Sequence, residues 1–106
     1  MTEVTLIYKG RIPYGFSITG HSTESARDTK GKTVCAAVSS AAYMAANTVL
    51  EVIGDKCSAT AEDGKMSLTF ENEPSERSAA VIKGFFLHVT ELSKQYPERI
   101  RIITEV

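Results

Sequence analysis

Twice along this chain, two short runs of alternating apolar residues are followed by one long run whose apolar residues recur every three or four positions. Period two buries one face of a strand, and period 3.6 buries one stripe of a helix, so each unit reads as a hairpin and then a helix. In the first unit Glu3–Lys9 alternates with Val4, Leu6 and Tyr8 on one face, Gly10–Pro13 turns the chain, and Tyr14–Thr19 sends Phe16 and Ile18 inward. In the second, Lys56–Ala61 and Met66–Glu71 flank Glu62-Asp63-Gly64, and Asp-Gly favours the positive φ of a tight turn. Thr33 can cap the first helix, which runs to about Ile53, stops at Gly54 and buries Val34, Ala37, Val38, Ala41, Ala45, Val49 and Val52. Pro74-Ser75-Glu76 opens the second, with Ile82, Phe85, Phe86, Val89, Leu92 and Tyr96 at helical spacing and Pro97 beyond its end. Arg99–Val106 reads as a last strand. The order ββαββα(β) predicts an α+β fold, a two-layer sandwich whose mostly antiparallel sheet carries both helices on one face. Residues 1–106 have room for one core and are expected to form a single domain.

Charge and composition narrow the function classes. A formal net charge of −1 gives no basic footprint, so direct nucleic-acid binding is not expected. Met1-Thr2-Glu3-Val4 has neither the basic nor the apolar segment of a signal peptide, and no run nears the ~20 apolar residues of a membrane span. The two cysteines lack CxxC spacing and suit a reducing compartment. A cytoplasmic protein without membrane association is expected.

The chemistry-bearing residues are His21, which closes the second strand after Gly20, and Cys35, which reads as lying in the first turn of the first helix. A thiolate is the nucleophile, and a free thiol is mostly protonated at neutral pH. A helix dipole offers only ~0.3–1 kcal/mol to a thiolate, whereas an imidazolium about 4 Å away offers up to ~4 kcal/mol at an effective dielectric near 20. His21 is therefore the partner on which an active Cys35 would depend, with N–H groups of the helix start as oxyanion donors. Spacing alone leaves three readings open for Cys35: a catalytic pair with His21, an inert buried thiol, or a metal ligand. Cys57 falls on the apolar phase of its strand and reads as core, and His88 as a partly buried helix residue. His21, Cys35, Cys57 and His88 have no zinc-ligand spacing, so neither metal nor cofactor is expected. Ser22–Lys32 is polar, contains Gly31, and offers little apolar surface to tether it; it is expected to move and to alter the separation of His21 and Cys35.

At Gly20-His21 and Val34-Cys35-Ala36-Ala37-Val38-Ser39 the chain resembles the bacterial ribosomal-processing cysteine proteases, and the likeness extends over nearly its whole length. That family carries a Gly-His pair, a glycine-containing loop and an Asp-hydrophobic-Val-Cys-Ala-Ala-Val-Ser run. The resemblance implies a cysteine endopeptidase that removes the N-terminal extension of a large-subunit ribosomal protein precursor and acts as a homodimer. It implies His21 and Cys35 as catalytic dyad, Gly20 allowing close approach, and Ser39 supporting the site. Two departures stand out. The family's His-Ala-Gly-Tyr-Ala becomes His21-Ser22-Thr23-Glu24-Ser25, and Lys32 replaces the acid three residues before the cysteine, leaving either Asp28 as the substitute or a dyad that works unaided. From other classes, the chain would be a non-catalytic binding or assembly factor for a ribosomal protein, or a structural domain with an inert thiol.

Overall fold

In the computed structural model, which describes residues 1–106, strands β1 (Thr2–Lys9) and β2 (Ile12–Thr19) form the first hairpin. Helix α1 (Thr29–Asn47) continues into a π-helical segment, Thr48–Ile53. The second unit is β3 (Cys57–Glu62), β4 (Lys65–Phe70) and α2 (Glu76–Gln95), and β5 (Ile100–Glu105) ends the fold. One sheet joins the strands in the order β3-β4-β2-β1-β5. All its pairings are antiparallel except β1 with β5, because the chain reaches β5 only after α2 has carried it across to the far edge.

The predicted strand phases hold. Leu6, Phe16, Leu68 and Ala59 stand in one row across the sheet, and Val4, Ile18, Met66 and Ala61 in the next. Both helices cover this face except at β3, where Ala59 and Ala61 stay exposed and only Cys57 is partly covered, giving the expected two-layer α+β sandwich with one continuous core. Phe16 meets Phe85 at 4.5 Å between ring centroids, and Tyr8 meets Phe86 edge-on at 5.4 Å. Ser75 caps α2 by accepting from the Ser78 N–H, where the sequence places the helix start.

The first helix departs from expectation at both ends. It starts at Thr29, capped by Asp28, whose carboxylate accepts the Gly31 N–H at 3.0 Å. Thr33 instead bonds back to the Thr29 carbonyl from inside the helix. At the other end the π-helical segment widens the turn and shifts the apolar stripe, so Val49 is wholly buried while Val52, expected inside, is 79% exposed. Ala42 and Ala46 fill the core where Ala37 and Ala41 are only partly covered. Gly54 ends the segment at φ +87, as its position suggests. Thr29–Ile53 is long and apolar enough by length and composition to cross a membrane, contrary to the sequence reading, and its alanines account for this. Its buried stripe of Val34, Val38, Ala42, Ala45 and Val49 belongs to the core. His88 is exposed on α2, not partly buried.

The shifted stripe makes neighbouring valines unequal. Val49→Ala is expected to cost about 2 kcal/mol, from lost burial and an unfilled cavity, and Val52→Ala less than about 0.5 kcal/mol. Urea denaturation of the two variants checks this; equal losses would mean that the helix keeps α-helical phase to its end.

Candidate active site

The end of β2 and the starts of β1, β4 and β5 lie at one end of the sheet, since Thr19 pairs with both Glu3 and Lys65, and Thr2 pairs with Ile100. The segment that leaves β2 there is not loosely held. Ser22 is buried; its hydroxyl donates to the Arg99 carbonyl at 2.9 Å and shares a hydrogen bond with Thr2 at 2.6 Å. The Arg99 guanidinium donates to the Ser22 carbonyl at 2.7 Å and forms an ion pair with Asp28. Asp28 also accepts from the N–H groups of Glu24 and Gly31. Arg99 and these amides hold its carboxyl well below the usual carboxylate range. Gly31 makes the cluster possible: a Cβ there would lie 2.6 Å from the Ser22 carbonyl and 2.7 Å from Arg99. It sits buried inside α1 and is not a flexible link.

This clamp brings the residues after His21 onto Cys35. The Ser22 N–H donates to Cys35 Sγ at 3.1 Å, and the Thr23 hydroxyl lies 3.6 Å from the same sulfur. Burial pushes the thiol up, but hydrogen bonds from Thr23 and Ser22 outweigh it and leave Cys35 below its ordinary value. Cys35 lies in the second turn of α1 and not the first, because Asp28 sets the start. The free N–H groups of the helix end are thus a turn away, and the groups that approach the sulfur come from the loop. Cys57 behaves oppositely: burial, with the Asp55 and Glu71 carboxylates, pushes its thiol up to about 11.

His21 is fixed by the second hairpin. Gly20, at φ +86, admits the Met1 carbonyl where a Cβ would sit, and its N–H donates to the Gly64 carbonyl at 3.0 Å. The half-exposed imidazole rests on Gly64, where a Cβ would come within 2.9 Å of Nε2. Asp63 Oδ1 lies 3.8 Å from Nε2, so Asp63 is the acid beside His21. Asp28 is occupied by Arg99 and does not serve His21. His21 and Cys35 line one cleft of about 420 Å³ with Gly20, Ser39 and Tyr43, floored by Ile18, Val38 and Met66. The two make no hydrogen bond with each other, and the Ser39 side chain makes none either, one turn beyond Cys35. No three His, Cys, Asp or Glu side chains converge in the way a metal ion requires.

The family model of the cysteine protease Prp matches residues 1–101. The chain belongs to the Prp cysteine protease family. Its fold matches that of the ribosomal processing protease Prp from S. aureus bound to a covalently linked product peptide, at 15% identity and a TM-score of 0.85, over 99% of this chain and 100% of that one. The same S. aureus protease with a substrate peptide gives 12% identity and a TM-score of 0.87 over the same shares. SMU.848 from Streptococcus mutans gives 23% identity and a TM-score of 0.86, over 99% of this chain and 97% of that one. No curated protein matches by sequence. Within this Prp-family cysteine protease, sequence reasoning had named His21, Cys35, Gly20 and Ser39 and missed Thr23, Asp63 and Arg99. Asp63 was legible only as a turn residue, and Arg99 reaches Asp28 from 71 positions away with no local signal.

The clamp makes a pH prediction. A carboxyl held low in the folded state adds stability that is complete above its unfolded value, near pH 4, and is lost as pH falls through the folded one. Asp28→Asn is expected to lower Tm at pH 7 and to converge with wild type in scans below about pH 4; a constant gap down to pH 2 would contradict an ionised Asp28 at the clamp.

Proposed function

We propose that this protein is an endopeptidase that removes the N-terminal extension of a large-subunit ribosomal protein precursor, with Cys35 as nucleophile and His21 as proton carrier. The observation that carries this reading is a thiol that opens into the same cleft as a histidine and is held toward its ionised form by hydrogen bonds. The nature of the substrate is supported by the S. aureus protease, a ribosomal processing enzyme whose structures contain substrate and product peptides.

In this reading the Cys35 thiolate attacks the scissile carbonyl, the C–S bond forms, and the π pair moves to oxygen. The tetrahedral species collapses as the C–N bond breaks and His21 protonates the departing amine. Water then adds to the thioester, giving a proton to His21, and the C–S bond breaks to release the acid and restore the thiolate. Asp63, exposed and 3.8 Å from Nε2, faces the imidazole as it carries the proton. Gly20 and Ser39 support the site. His21 closes onto Cys35 when substrate binds, as catalytic contacts commonly tighten only then. A cytoplasmic homodimer belongs to the same reading: the resemblance supports the dimer and two free cysteines suit the compartment; light scattering on the purified protein reads the dimer.

The test is incubation with the ribosomal protein precursor encoded by the same genome, followed by intact-mass spectrometry. Wild type is expected to release one N-terminal peptide. Cys35→Ala should release none, and Asp63→Asn should cut about tenfold more slowly with KM little changed. Precursor bound but returned whole by wild type would support the holding factor instead, and cleavage by Cys35→Ala would overturn the nucleophile.

A further inference from the structure

Thr23 stands where the family run has glycine, and its hydroxyl lies 3.6 Å from Cys35 Sγ. Ser22 N–H approaches the same sulfur at 3.1 Å, and the Thr23 backbone N–H also favours the thiolate. A threonine hydroxyl need not donate here: it can turn toward solvent or toward a neighbouring carbonyl, as Thr33 does with Thr29. Ser22, next to it, is anchored between Thr2 and Arg99, which carries Thr23 toward the sulfur.

Building on the dyad reading above, we propose that the Thr23 hydroxyl is a catalytic hydrogen-bond donor. It holds the Cys35 thiolate in the resting enzyme, then follows the negative charge onto the carbonyl oxygen when the C–S bond forms. In that step the sulfur lone pair becomes the C–S bond and the carbonyl π pair becomes a lone pair on oxygen. Charge therefore leaves a sulfur that is now a poor acceptor and appears on an oxygen attached to the carbon that the sulfur has just bonded. A donor that only held the thiolate would stabilise the ground state and slow the attack. A rotatable hydroxyl beside Sγ reaches either acceptor by one torsion, whereas the Ser22 amide is fixed in direction. Its contribution to the barrier comes from the later position, where it acts as one member of an oxyanion hole.

Two small probes separate these positions without any peptide substrate. Iodoacetamide alkylates the thiolate by displacement at carbon and forms no oxyanion; p-nitrophenyl acetate acylates it through a tetrahedral oxyanion. In Thr23→Val, which keeps the shape and removes the hydroxyl, alkylation of Cys35 at pH 6.5 is expected to fall about threefold, because the smaller thiolate fraction is partly offset by faster attack of a less stabilised thiolate. Acetylation should fall further, about a hundredfold. Thr23→Ser should restore both to within a few-fold. Peptide mapping assigns the label to Cys35, and Cys57, whose thiol is pushed up to about 11, stays unlabelled at that pH. Equal losses with the two probes would overturn the oxyanion role, and no loss with either would overturn the proposal entirely. Failure of serine to restore the rates would assign the effect to packing and overturn it as well. Because neither probe is a peptide, a protein that shows this pattern but leaves the precursor uncut would reject the protease reading and not Thr23.

Discussion

The partly buried pairing of Arg99 with Asp28 and the Ser22 carbonyl is the contact from which the site is organised. It ties the turn before β5 to the start of α1 and to the segment leaving β2. Burying charges is costly unless every partner is satisfied, and here the carboxylate receives two backbone N–H groups besides the guanidinium. The same carboxylate caps α1, so the length of the helix and the path of the segment after His21 are set together. One consequence reaches the thiol: with Ser22 fixed, its N–H and the Thr23 hydroxyl arrive at Cys35.

The sheet gives the second constraint. β2 delivers Gly20 and His21 to the end where the β3–β4 turn presents Asp63 and Gly64, and Gly64 leaves space for the imidazole because it has no side chain. Cys35 therefore stands on a helix and His21 just past a strand end, and each is steadied by a different part of the fold. Both side chains line the cleft between these supports.

Much of this was legible in the sequence, for physical reasons. Period-two runs such as Val4-Leu6-Tyr8 and Met66-Leu68-Phe70 identify sheet faces because a strand has only two, and Asp63-Gly64 marks a hairpin because few other pairs accept its backbone. Ser75 and Gly54 mark helix ends by local hydrogen bonding and by positive φ. What escaped depends on distant partners. Thr33 is a reasonable cap by its neighbours alone; Asp28 wins because Arg99 and the backbone of Gly31 meet it in space. Val52 looked buried because the stripe was continued at 3.6 residues per turn, and no local residue announces a π-helical segment. The anchors of Ser22–Lys32 leave no local signal because Thr2 and Arg99, which hold Ser22, lie near the two ends of the chain. His21 and Cys35 stand out in the sequence by their motif, whereas the groups that hydrogen-bond the thiol do not.

If the clamp governs the thiol, a change at Arg99 must be felt at Cys35, which it does not touch. The most direct measurement is the pH dependence of Cys35 alkylation in Arg99→Met, which keeps much of the stem but loses the charge and its hydrogen bonds, with circular dichroism confirming an intact sheet and helices. The account predicts that the alkylation curve moves to higher pH, because the Ser22 amide and Thr23 hydroxyl are no longer held against the sulfur. A curve that coincides with wild type in a folded variant would contradict it.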